Sequence, residues 1–151
     1  MRLTKQTNYA VRMLMYCAAN GADQLSRVSD VAKAYGVSEL FLFKVLQPLV
    51  QGKLIEAVRG RNGGLKLGAE PQDINIGALV RQTETDFHMA ECFDREGNRC
   101  VFASRCVLED TLGAATAAYL QVLDGVTLDK LVPATGRPST VSDFQPMVFT
   151  S

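Results

Sequence analysis

The stretch VSDVAKAYGVSELFLFKVLQPLVQGKLIEAVRGRNGGLKLG, Val28–Gly68, decides the fold. Its first part reads as a short helix ended by Gly36, and Ser38 then stands where a hydroxyl can cap a second helix whose first turn begins at Glu39. Two short helices joined by a tight glycine-containing turn form a helix-turn-helix. In the second helix Leu42, Val45, Leu46 and Leu49 recur at helical spacing and make the buried face, which turns Phe41, Lys44 and Pro48 outward. Pro48 lacks an N–H and its ring meets the carbonyl of Lys44, so a kink or fraying is expected there, with Gly52 ending what remains. LIEAV and LKLG then read as two short strands around RGRNGG, with Asn62-Gly63 as the hairpin signal. A helix-turn-helix followed by a hairpin is a winged helix.

Outward from this unit the chain is mainly helical. Between Thr4 and Asn20 the residues Tyr9, Val11, Met13, Leu14, Tyr16 and Cys17 keep a helical period that Gly21 stops. INIGALVRQTE reads as a linking helix, and AECFDREGNRCVFASRC, Ala90–Cys106, as a loop. A long helix is expected from about Ser104 to Leu123, where Leu108, Leu112, Ala115, Tyr119 and Val122 form a coiled-coil stripe. The helix can pack on its own winged helix or on a second copy; its length favours a homodimer seam, and Ala114, Ala115, Ala117 and Ala118 allow close approach. From Thr135 the tail TGRPSTVSDFQPMVFTS is rich in Ser, Thr and Pro and reads as disordered. The expected organisation is a winged helix-turn-helix with its linking helix over 1–83, a cysteine loop over 84–106, a dimerisation helix with a short following helix over 104–132, and the tail over 133–151.

The 151 residues carry equal numbers of basic and acidic side chains, but unevenly placed. Residues 1–66 hold ten Lys and Arg against four Asp and Glu, a surplus of six positive charges; the remainder holds six against twelve, the same surplus of negative ones. A basic N-terminal part suits phosphate. The opening MRLTKQTNYAVRML is interrupted by Thr4, Lys5, Gln6, Asn8 and Arg12, and no run approaches a membrane span, so a protein of the reducing cytoplasm is expected. His88 is the one histidine and has no triad or carboxylate dyad around it, which argues against an enzyme.

A recognition helix meets base edges with its first turn. Ser38 and Glu39 open it; Glu39 can accept from a cytosine amino group and Lys44 can reach a guanine or a phosphate. Phe41 either touches a thymine methyl or is an aromatic at the edge of the core. In the wing, Arg59 and Arg61 flank a turn with little side-chain bulk, Asn62 and Gly63 included, a shape that can enter a minor groove. Cys92, Cys100 and Cys106 crowd three of the four cysteines into fifteen residues, among charged neighbours that cannot form a core. Their spacings fit neither a Cys-x-x-Cys redox pair nor a zinc ribbon. Zinc on three cysteines with His88, in an adaptor that binds protein through the long helix, and an iron–sulfur cluster both remain open on spacing.

MRLTKQTNYAVRML, YGVSELFLFKVLQPL, VRGRNGGLKLG and the three-cysteine loop together resemble the cluster-binding winged-helix repressors of the IscR, NsrR and RirA type, most of all the iron-responsive RirA type. The likeness runs from Met1 to about Val132. It implies a homodimer on a palindromic DNA operator, with Cys92, Cys100 and Cys106 holding a four-iron four-sulfur cluster that controls repression, in answer to iron or, alternatively, to nitric oxide or the supply of clusters. Relatives complete the ligand set with an aspartate in helix one or a histidine shortly after the third cysteine; the corresponding places here are Asn8 and Glu109.

Overall fold

The computed structural model describes residues 2–21, 24–94, 96–102 and 106–132. The tail from 133 onward and the expected helix start at Ser104 lie outside the described residues. Helix α1, Lys5–Asn20, is capped by Thr4, whose Oγ1 accepts from the Thr7 N–H at 3.2 Å, and ends where Gly21 takes φ 84°. Its buried face is Thr7, Ala10, Met13, Leu14, Tyr16 and Cys17. Helix α2, Val28–Tyr35, stops at Gly36, which adopts the left-handed conformation (φ 64°) that costs glycine nothing. Helix α3, Glu39–Gln51, starts at Ser38, whose Oγ accepts from the Phe41 N–H at 3.2 Å. Leu42, Val45, Leu46 and Leu49 are buried against α1 and α2, as helical spacing requires.

At the end of α3 the expected fraying at Pro48 is not seen, while the expected stop at Gly52 is. The helix runs through Pro48 to Gln51, because proline three residues from the end leaves only the Lys44 carbonyl without its partner. Gly52 ends it, yet at φ −77° its backbone is ordinary and Lys53 takes the left-handed turn at φ 57°. Glycine serves here by its size: a Cβ at position 52 would meet the Gln82 side chain, which donates from Nε2 to the Pro48 carbonyl at 3.1 Å.

The wing is an antiparallel pair, β1 (Ile55–Val58) and β2 (Gly64–Leu67), in the register Ile55↔Leu67 to Val58↔Gly64. The connection is five residues long, and its left-handed residue is Gly60 (φ 113°) rather than Asn62-Gly63. The Gly63 N–H donates to the Gly60 carbonyl at 3.0 Å, and a Cβ on Gly63 would strike the Val58 carbonyl. Ser26 and Leu65 exchange two backbone hydrogen bonds of 2.8 and 2.7 Å, which fasten the wing to the segment entering α2.

Helix α4, Ile76–Thr83, is capped by Asn75 and buries Ile76, Leu79 and Val80 in the same core. After the cysteine loop come α5, Val107–Asp124, and the one-turn α6, Leu128–Leu131. The C-terminal end of α5 is clamped to α4. Arg81 and Asp124 form a two-pronged pair, with Nη2–Oδ2 at 2.8 Å, that holds the Asp124 carboxyl below its ordinary range. The Asn75 amide donates to the Asp124 carbonyl at 2.7 Å, the Ile76 and Leu128 N–H groups bond Val126 and Ile74, and Leu128 is fully buried. A Cβ on Gly77 would meet the Asp124 carboxylate and come within 2.8 Å of its backbone nitrogen. Gly77→Ala is therefore expected to destabilise: overpacking costs about 1–3 kcal/mol and outweighs a propensity gain below about 1 kcal/mol. Urea unfolding measures the difference; an unchanged midpoint means the two helices have room to separate.

Candidate functional site

Two regions carry polar chemistry that the core does not use. The first is the outer face of α3 with the wing. Glu39 and Lys44 are exposed, while the Ser38 hydroxyl is taken up by capping. Arg59, Arg61 and Asn62 are exposed around the wing turn, Gly63 is half-buried, and none of Lys44, Arg59 and Arg61 is in an ion pair among the described residues. Phe41 is half-buried. Its ring stands edge-on to Tyr9 of α1, centroids 5.3 Å apart, and Tyr9 meets Tyr35 of α2 in the same manner at 6.2 Å. The Arg12 guanidinium covers both tyrosines at 5.3 and 5.6 Å, so the half-buried Phe41 ring joins an aromatic contact that spans three helices. Leu40 and Phe43 stand on the outer face of α3, 71% and 53% exposed. They are the complement of the buried positions 42, 45, 46 and 49, a signal available in the periodicity but easily passed over because both residues are apolar.

The second region is the cysteine loop. Cys92 lies in a single helical turn, Glu91–Phe93; Cys100 is exposed, its N–H donating to Asn98 Oδ1 at 2.9 Å; Cys106 stands at the N-cap position of α5 without a side-chain cap hydrogen bond. Burial pushes the Cys92 thiol up, and the charges of Glu109, Cys106 and Cys100 push it further in the same direction. Glu109, Cys106 and Cys100 thus lie close enough to act on the Cys92 thiol. Asn8, a neutral amide half-buried on α1, adds no charge to it. His88 is drawn toward Phe93, ring centroids 6.5 Å apart, and lines a cavity of about 250 Å³ with Thr4, Glu84 and Tyr119. Among the described residues no three His, Cys, Asp or Glu side chains converge on a single metal-ion position. Cys17 is separate: burial in the core pushes its thiol up to about 11 against an opposing hydrogen bond from Ser26, so it stays protonated and unreactive.

Helix α5 runs from the cysteine loop to its clamp on α4 and has no fully buried residue. Of the stripe read from sequence, Leu108, Ala115 and Val122 are exposed, whereas Leu112 and Tyr119 are half-buried. Leu120 and Leu123 pack on the core, which sets the rotation of the helix. Its open face carries Leu108, Thr111, Ala115, Ala118 and Val122, spaced three, four, three, four. No helix of the described residues is long and apolar enough to cross a membrane.

The sequence matches the Rrf2 family, described as "Iron-dependent Transcriptional regulator", over residues 3–134. It is 55% identical over 134 residues to Protein aau3 of Rhizobium meliloti strain 1021, spanning 89% of this chain and 86% of that protein. The HTH-type transcriptional regulator NsrR of Bacillus subtilis strain 168 is 46% identical over 132 residues, spanning 87% and 90% of the two chains. In fold the chain is similar to T. potens IscR, with a TM-score of 0.69 at 22% identity over 87% of this chain and 85% of the other. The B. subtilis global cysteine regulator CymR gives 0.67 at 23% identity over 87% and 95%.

Proposed function

The chain belongs to the Rrf2 family of transcriptional regulators, and on that premise we propose that it is an iron-responsive repressor whose grip on a palindromic operator depends on an iron–sulfur cluster held by Cys92, Cys100 and Cys106. One observation carries the reading: Cys106 stands at the N-cap position of α5, with Cys92 and Cys100 on the loop that leads into it, while the other end of the helix is clamped to the DNA-binding unit. Three cysteines on one loop suit an iron–sulfur cluster held by thiolates, and the likeness to a family described as iron-dependent supports it over one zinc ion. Glu109 is the candidate fourth ligand; an oxygen donor among sulfurs leaves one iron weakly protected. Such a cluster supplies an iron centre that is lost when iron is scarce and attacked by oxygen or nitric oxide.

The protein's own part is mechanical. Cys106 occupies the N-cap position of α5, so tying it to Cys92 and Cys100 fixes the end of the helix opposite the Arg81–Asp124 clamp. With both ends fixed, a dimer built on α5 keeps its two recognition helices at the spacing of half-sites about one helical turn apart. With the loop released, that spacing relaxes and repression fails. A second reading keeps the site and the fold but takes nitric oxide or cluster supply as the signal; the NsrR likeness favours it. Titrating an iron chelator into anaerobically purified protein while following visible absorbance and operator affinity tests the proposal. Affinity is expected to fall as the colour fades; constant affinity would sink the cluster as the switch.

A further inference from the structure

The recognition helix carries more apolar surface than its surroundings warrant. Leu40 and Phe43 are 71% and 53% exposed, and no other large apolar side chain of the described residues up to 83 is exposed to that degree. They stand three residues apart in the first two turns of α3, flanked by exposed Glu39, Lys44 and Gln47, and the Ser38 cap fixes the helix start one residue before Glu39. Neither packs in the core, and Phe41, between them in sequence, is committed to Tyr9. We infer that Leu40 and Phe43 read the 5-methyl groups of thymine, so that the operator carries thymines opposite the first two turns of α3 in each half-site. The inference rests on the DNA-binding reading and adds what the protein selects.

Two considerations choose DNA as the occupant. In the major groove the thymine methyl is the one apolar feature a base edge offers, and it lies where the first turns of a recognition helix reach. The unit bearing the patch has six surplus positive charges and unpaired Lys44, Arg59 and Arg61 around it, which complements a phosphate backbone and repels the same face of a second copy.

The experiment replaces thymine by deoxyuridine, which removes the methyl and leaves every hydrogen-bonding group. Duplexes are first enriched from a random pool with anaerobically purified protein, and each thymine of the enriched sequence is then exchanged in turn. At the contacted positions the protein is expected to lose about three- to fivefold in affinity per methyl. Leu40→Ala and Phe43→Ala should bind the thymine duplex more weakly and lose their discrimination against uracil at one position each, with an unchanged salt dependence because no charge is removed. Both side chains are exposed, so circular dichroism of the variants should match the parent. Equal affinity for all thymine and uracil duplexes overturns the inference. So does a loss of dimer in either variant with discrimination intact, since the patch would then be covered by a second copy. If no duplex is enriched at all, the DNA-binding reading fails and takes the inference with it; enrichment itself separates the two failures.

Discussion

Replacing Cys92, Cys100 or Cys106 by Ala is expected to remove the visible absorbance of anaerobically purified protein and to lower operator affinity to the level of unrelated DNA, while Cys17→Ala leaves both nearly intact. The three cysteines lie on the loop that enters α5, and an iron–sulfur cluster held by them would lose one of its thiolates in each variant. Specific operators are bound roughly 10³-fold or more tightly than random sequence, so the loss is large. Cys17 is buried in the core with its thiol raised to about 11, and its removal is a packing change of about 1–2 kcal/mol, readable as a lower midpoint in urea. Glu109→Ala makes a finer test: the colour is expected to form and then bleach faster with chelator than in the parent. Colour that survives in all three loop variants would place the cofactor elsewhere, and colour lost with affinity unchanged would separate the cofactor from repression.

The second large effect is expected from Ala118→Glu. Helix α5 buries none of its residues completely, Leu108 is 60% and Val122 70% exposed, and Ala115 and Ala118 lie between them on the open face. A stripe with this spacing and small central residues lets a second α5 approach closely, and two carboxylates set into that seam would repel each other without solvation. Sedimentation at micromolar concentration should show monomer. Affinity for a two-half-site operator should fall by about 10²–10⁴, the advantage of binding both half-sites as a unit, whereas a single half-site should be bound as before. Thermal unfolding of the monomer should change little, because the Ala118 side chain is exposed. Leu112→Glu offers the contrast, since Leu112 is half-buried and the charge would also disturb packing within the protomer. A dimer that persists with Ala118→Glu would mean that α5 does not carry the interface.

Much of the fold was legible because its signals are local. Thr4, Ser38 and Asn75 bond N–H groups three residues ahead, and Gly36 turns left-handed where a side chain would cost energy; each acts within one turn of chain, so helix starts and stops follow from residue types alone. The apolar spacing of α1, α3 and α4 names the buried face for the same reason. What tertiary packing decided is the phase of a helix at the edges of that face. Phe41 and Phe43 are chemically alike and two residues apart, and only Tyr9 on another helix draws one inward and leaves the other to solvent. Leu112 and Tyr119 are turned partly away from the open face of α5 because Leu120 and Leu123 rotate the helix onto the core. Asn62-Gly63 is a strong local turn signal, yet the strand register set by Leu65 on Ser26 leaves five residues to close the wing and gives the left-handed position to Gly60. The cysteine loop shows the division most plainly. Spacing along the chain announced three thiols in a polar segment, but sulfurs eight and six residues apart have no fixed distance until the chain is folded. Only the fold places Cys106 at the N-cap position of α5 and sets Glu109 one turn later, where its charge pushes the Cys92 thiol up.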